Sequence, residues 1–178
     1  NVWSVGMQFL YITNNPDVAV ATERAGIDWV MVDLEYIGKN LRQAGRDTVI
    51  SAHSISDVSI LKSSLTKSRL LVRVNPLGDY SKAEIEGVLE AGADAVMLPY
   101  FSTASEVKEF VSIVSNRAQV FLLLETLSAI KEIRAICRVQ GVNYIHVGLN
   151  DLHIERNTDF MFEFLSDGSI DPVCKIIK

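Results

Sequence analysis

The chain has 178 residues, 48% hydrophobic and 22% charged, enough apolar material for a real core and too much for a disordered polymer. A formal net charge of −5 with no run of Lys and Arg leaves no electrostatic footprint for a phosphate backbone, so nucleic acid is not expected as a partner. No apolar run approaches the roughly 18 residues that a bilayer span needs, and no basic flank leads into a cleavable apolar segment, so no membrane partner is expected either.

A single domain over residues 1–178 is the expectation. The two cysteines, Cys137 and Cys174, are far apart and lack metal-type spacing. They are read as packing residues in a reducing, cytoplasmic protein.

In chain order, "SVGMQFLY" (4–11) is a weak strand candidate, followed by a helix start at Asn15 with Pro16 at the first helical position. "WVMVDL" (29–34) is the first strong strand. The stretch "IGKNLRQAGRDTVISAHSISD" after it holds an extended loop as well as helix. "LLVRV" (70–74) comes next, then a helix expected to open with Ser81 and Glu84 as a capping pair. "AVMLPYF" (95–101) precedes a second such pair, Thr103 with Glu106. "VFLLLE" (120–125) and "YIHVGL" (144–149) complete the series. These runs are apolar throughout rather than alternating, as expected of parallel strands covered on both faces. Each of "AGIDWVMV", "AGADAVML" and "QGVNYIHV" sets a glycine two residues before an Asp or Asn that enters a strand. Gly26, Gly92 and Gly141 are therefore expected to end helices in the left-handed conformation.

Six βα units in series fit a (β/α)₈ barrel or an open doubly wound sheet. A complete barrel needs about 250 residues. The chain is accordingly expected to be either an open sheet or about three-quarters of a barrel.

In both architectures function sits at the carboxyl ends of the strands. There the sequence places Asp33 and Glu35, Arg73 and Asn75, Glu125, and finally Asn150 and Asp151. Any one of these could be a helix cap or half of a structural ion pair. Together they bring carboxylates and a guanidinium to one rim, because period-two alternation sends Asp33 with Glu35, and Arg73 with Asn75, to one side of each strand. Glu125 ends the most apolar run in the chain, where an unpartnered ionised carboxylate would be very costly. It requires a cation, from Arg73 or a metal, which Asp151 could share. Two carboxylates without Cys or obligatory His suit a hard divalent ion such as Mg²⁺. Gly148 leaves room for a ligand near the backbone, with amide N–H groups after it suited to an anion.

The ordered motifs "DWVMVDLEY", "LLVRVNP", "GADAVMLPYF", "VFLLLET" and "GVNYIHVGLNDL" resemble the HpcH/HpaI-type aldolases, relatives of the citrate lyase beta chain, from about residue 5 to residue 152. The resemblance implies a (β/α)₈ barrel, and a metal-dependent carbon–carbon lyase acting on a 2-keto-4-hydroxy acid with pyruvate as one partner and an aldehyde as the other. It implies that Glu125 and Asp151 bind Mg²⁺ or Mn²⁺, and that Arg73 contacts the keto oxygen. Gly148, Leu149, Asn150 and Asp151 are implied to line the substrate seat, and a homo-oligomer is implied as the assembly.

One departure stands out. Where aldolase members carry an acid, any residue, Glu and a His used in base catalysis, this chain reads "DLEY", keeping Glu35 but placing Tyr36 at the His position. An ordinary phenol, with a pKa of about 10, is a poor base at neutral pH. His53 and His153 are the candidate substitutes, and His146 is read as a core residue. Cleavage of a CoA ester and non-catalytic keto-acid binding are the competing readings. A Schiff-base route would need an interior lysine, whereas Lys39, Lys62, Lys67, Lys82, Lys108 and Lys131 all fall in expected loops or helix faces.

Overall fold

A computed structural model of the chain describes residues 6–38 and 52–177. Lys39 and most of the extended stretch after the first strong strand lie outside the described residues, as do residues 4 and 5 of the first candidate strand. The elements run β1 (Leu10–Ile12), α1 (Pro16–Arg24), β2 (Trp29–Asp33), α2 (Ile55–Ser64), β3 (Arg69–Arg73), α3 (Ser81–Glu90), β4 (Ala95–Leu98), α4 (Ala104–Val114), β5 (Gln119–Leu124), α5 (Leu127–Ile136), β6 (Tyr144–Val147), α6 (Leu149–Arg156), α7 (Glu163–Ser166) and α8 (Asp171–Ile177). All strand pairings are parallel, and the sheet order is the chain order, β1 to β6. Among the described residues no helix is long and apolar enough to cross a membrane.

Alternation divides each strand between two cores. Val30, Val32, Leu70, Val72, Val96, Leu98, Val120, Leu122 and Leu124 face outward and pack under the helices, against residues such as Leu61, Ile85, Phe110 and Ile133. Trp29, Met31, Leu71, Ala95, Met97, Phe121 and Leu123 face inward and form a second, smaller core. Burial on both faces is why the strand sequences read as unbroken apolar runs.

The inner core shows that the sheet is curled. The Trp29 ring lies 4.9 Å from Phe121 on β5 and 5.8 Å from Tyr144 on β6, centroid to centroid. In a flat sheet β2 and β6 would stand roughly 19 Å apart, four strand spacings. The sheet bends round until side chains from distant strands touch, which is the geometry of part of a (β/α)₈ barrel rather than of an open doubly wound sheet.

Gly26, Gly92 and Gly141 have φ of +94°, +97° and +96°, as the repeated signature requires. The acid or amide that follows has a task of its own: Asp94 Oδ2 accepts the Leu70 N–H (2.8 Å), Asn143 Oδ1 that of Val120 (2.8 Å), and Asp28 Oδ2 that of Phe9 (2.8 Å). Each strand entrance thus ties off the start of the strand before it. Asn15 caps α1 by accepting from Asp17 and Val18, and Thr103 with Glu106 forms a capping box on α4.

Several expectations need correction. Ser81 and Glu84 do not form a capping pair, since Ser81 is already helical and its hydroxyl accepts from Gly78, while Glu84 reaches back to Asn75. The run "AVMLPYF" is strand only to Leu98, before Pro99. The run "YIHVGL" ends at Val147 because α6 begins at Leu149. Cys137 and Cys174 are exposed rather than packing residues.

Candidate active site

At the carboxyl end of the sheet the inner face changes from apolar to charged. Asp33 and Arg73 are register partners on β2 and β3. The guanidinium donates from Nε to Asp33 Oδ1 (2.8 Å) and from Nη2 to Oδ2 (2.7 Å), a two-pronged pair. Its third nitrogen, Nη1, lies 3.4 Å from Glu35 Oε2. Burial alone disfavours the Arg73 charge, but the hydrogen bonds and charge of Asp33, then the charges of Glu35 and Glu125, outweigh it and hold the guanidinium firmly protonated.

Glu125 arrives from the end of β5, directed inward by the same alternation that places Phe121 and Leu123 there. Its Oε1 accepts the Tyr100 N–H (2.9 Å), and Tyr100 holds a left-handed backbone, φ +49°, to present it. Gly148 abuts the same carboxylate: a Cβ on that residue would lie 2.9 Å from Glu125 Cβ and 3.0 Å from Oε2. Burial first, and then the negative charges of Glu35 and Asp151, push Glu125 up to about 8 against the opposing pull of Arg73. Asp33 and Glu35 are 2% exposed, Glu125 5% and Asp151 6%, so these acids share one dry rim rather than a solvated surface.

The "GLND" segment is the start of a helix. Gly148 is the N-cap of α6, and Leu149, Asn150 and Asp151 form its first turn. The N–H groups of such a turn lack intrahelical acceptors and carry the positive end of the helix dipole, which suits an anionic group.

The other candidates are placed differently. Tyr36 has its backbone N–H bound to Asn75 Oδ1 (3.0 Å), while its side chain is 65% exposed at the rim. His53 accepts the Asp33 N–H at Nδ1 (3.0 Å). That bond places the proton of a neutral ring on Nε2, so neither nitrogen offers a lone pair for proton abstraction in this arrangement. His153 pairs through Nδ1 with Thr158 Oγ1 (3.1 Å), which ties it to the loop after α6. His146, expected in the core, is exposed on the inner face of β6. Partial desolvation and the charge of Arg73 lower its pKa.

Two contributors were not assigned a site role from the sequence. Tyr100 acts through its main chain, which no side-chain pattern reveals. Glu84 looked like a helix cap, and only the fold shows it at Asn75. Among the described residues no three His, Cys, Asp or Glu side chains are grouped as a ready metal cage. A divalent ion here would take two protein carboxylates and complete its shell with water and substrate. The donor set fits such an ion, because Glu125 is buried among like charges that raise it to about 8, a cost that a bound cation removes.

Fold and rim together define a β/α-barrel protein whose mouth gathers acids around one arginine among the described residues. The chain belongs to the HpcH/HpaI aldolase/citrate lyase family, whose model matches residues 7–159. Among solved structures it is similar to an HpcH/HpaI aldolase from Desulfitobacterium hafniense DCB-2, with TM-score 0.71 and 19% identity over 98% of this chain and 73% of that one. It is also similar to the citrate synthase SbnG, with TM-score 0.74 and 15% identity over 96% of this chain and 73% of that one. For macrophomate synthase the values are 0.66 and 15%, over 96% and 66%. At these identities the likeness is one of fold. The sequence has no significant match among curated proteins.

Proposed function

We propose that the protein is a divalent-metal-dependent carbon–carbon lyase that cleaves or forms a 2-keto-4-hydroxy acid, with pyruvate as the keto-acid partner. The observation that carries this reading is the convergence of Arg73, Glu35 and Glu125 on one buried rim, beside the first turn of α6.

Glu125 and Asp151 would hold Mg²⁺ or Mn²⁺, which when bound supplies positive charge where the enolate oxygen develops. Arg73, fixed by Asp33, directs its guanidinium at the same oxygen, and a preorganised donor of this kind is worth several kcal/mol, roughly 3–4. The N–H groups of Leu149 and Asn150 receive the substrate carboxylate. In the cleavage direction Glu35 takes the proton from the C4 hydroxyl, C4 becomes the aldehyde carbonyl, and the C3–C4 electron pair moves onto the 2-keto oxygen facing Arg73. The proton then returns to C3, giving pyruvate. No lysine lies on the inner face of the described strands, so these strands offer no Schiff-base nucleophile.

A second reading, cleavage of an acyl-CoA ester, is favoured by Tyr36, whose exposed side chain stands where the aldolase pattern has its histidine. A substrate panel separates the two: pyruvate with a range of aldehydes, and acyl-CoA esters, each with and without EDTA, on wild type and Glu125→Gln. Aldol activity abolished by chelation and by the substitution supports the proposal. Activity that survives both ends it.

A further inference from the structure

We propose that Asn75, oriented by Glu84, is a positioning residue that holds the backbone carrying Glu35 and thereby fixes Glu35 against Arg73. Asn75 is buried and uses its whole amide. Its Oδ1 accepts the N–H groups of Tyr36 (3.0 Å) and Ile37 (2.9 Å), and its Nδ2 donates to Leu34 O (3.2 Å) and Glu84 Oε1 (2.6 Å). Glu35 therefore sits on a short stretch gripped on either side by one side chain from the loop that follows the neighbouring strand.

Glu84 determines which way that amide points. Its second oxygen, Oε2, accepts the backbone N–H of Asn75 (3.1 Å), so one carboxylate binds both the main chain and the side-chain NH₂ of the same residue. With NH₂ held toward Glu84, the amide oxygen can only face Tyr36 and Ile37. A flipped amide would set its oxygen against a carboxylate and against the Leu34 carbonyl. Glu84 departs from the capping role its position in the sequence suggests, and local departures of this kind mark functional sites. The consequence reaches the chemistry through the 3.4 Å contact between Glu35 and Arg73 Nη1, because small displacements of a positioned group are expensive in rate.

The inference rests on the lyase reading for its kinetic consequence but not for its geometry, and the test separates the two. Glu84→Gln is nearly isosteric, keeps one acceptor, and leaves the chemical identity of Glu35 and Arg73 unchanged. It should lower kcat for aldol cleavage and for deuterium exchange into the pyruvate methyl group about tenfold or more, with KM changed less than about threefold. Asn75→Asp should do the same or worse, and combining it with Glu84→Gln should recover part of the loss, since an amide then faces the new carboxylate. In parallel, the side-chain Nε–H signal of Arg73, assigned with Arg73→Lys, should shift or broaden in Glu84→Gln. Wild-type kcat together with an unmoved Arg73 signal would overturn the proposal. If wild type shows neither cleavage nor exchange, the lyase reading fails alone, and the Arg73 signal still decides whether the clamp operates.

Discussion

Arg73 and Asp33 face each other across β3 and β2 as register partners and meet through two hydrogen bonds of 2.8 and 2.7 Å, at the level where the barrel interior turns from apolar to polar. The pair makes the guanidinium a fixed plane rather than a mobile charge. Lysine can supply the charge but not the plane. Arg73→Lys is expected to lower kcat/KM by about 100-fold, and Asp33→Ala to cost about 3 kcal/mol of folding stability by leaving a largely buried arginine without its main partner. Aldol kinetics and urea unfolding of both variants check this, and unchanged kinetics in Arg73→Lys would remove Arg73 from the mechanism.

Glu125 should give the metal-free protein a characteristic pH dependence. Its folded value of about 8 lies above the ordinary 4.5, so the neutral carboxyl contributes stability that is fully present below about 4.5 and lost as pH rises through about 8. In EDTA, the unfolding free energy of wild type is expected to fall between about pH 5 and pH 8 by at most about 1.4 kcal/mol per pH unit, read as a falling Tm. The difference between wild type and Glu125→Gln isolates this contribution. Adding Mn²⁺ at pH 8 should raise the Tm of wild type and leave the variant unmoved. Parallel Tm curves for the two proteins would show that Glu125 does not titrate in this range.

Gly148 is required for space rather than for backbone freedom, because its φ of −88° is open to any residue. Gly148→Ala would press a methyl group against Glu125 Cβ at 2.9 Å, against Oε2 at 3.0 Å and against Leu123 Cδ1 at 3.2 Å. Overpacking of this kind costs about 1–3 kcal/mol. The expected result is a folded protein with Mn²⁺ affinity reduced at least tenfold by calorimetry. Wild-type affinity would mean that the carboxylate moves aside without consequence.

Tyr100 tests the link between backbone strain and the Glu125 carboxylate. A left-handed conformation costs a residue with a Cβ about 1–2 kcal/mol, less for Asn and more for a β-branched side chain. Tyr100→Val is therefore expected to be less stable than Tyr100→Asn by at least about 1 kcal/mol in urea unfolding. Equal stabilities would indicate that the loop relaxes out of the φ of +49°.

Much of this was legible in the residues. The unbroken apolar runs identified the buried parallel strands, and the αL glycines at 26, 92 and 141 marked the ends of helices, because both signals are local. Strand ends were less clear: "YIHVGL" runs straight into α6, and nothing in its composition separates a strand end from the first turn of a helix. Ser81 with Glu84 illustrates the opposite error. A pattern with a sound local meaning was redirected by a stronger acceptor requirement at Asn75, a residue in the loop after β3.

The sequence by itself determined the alternation of strand and helix, the division of each strand into outward and inward residues, and the delivery of Asp33, Glu35, Arg73 and Glu125 to the carboxyl ends, since these follow from periodicity along one segment. Only the tertiary structure decided that the sheet curls until Trp29 meets Tyr144, that Arg73 is shared between Asp33 and Glu35, that His53 is spent on a backbone N–H, and that Glu84 turns Asn75 toward the chain bearing Glu35. Each of these is a pairing between elements distant in sequence. Which of several available donors a buried acceptor takes depends on the curvature of the whole sheet, and no local pattern records that curvature.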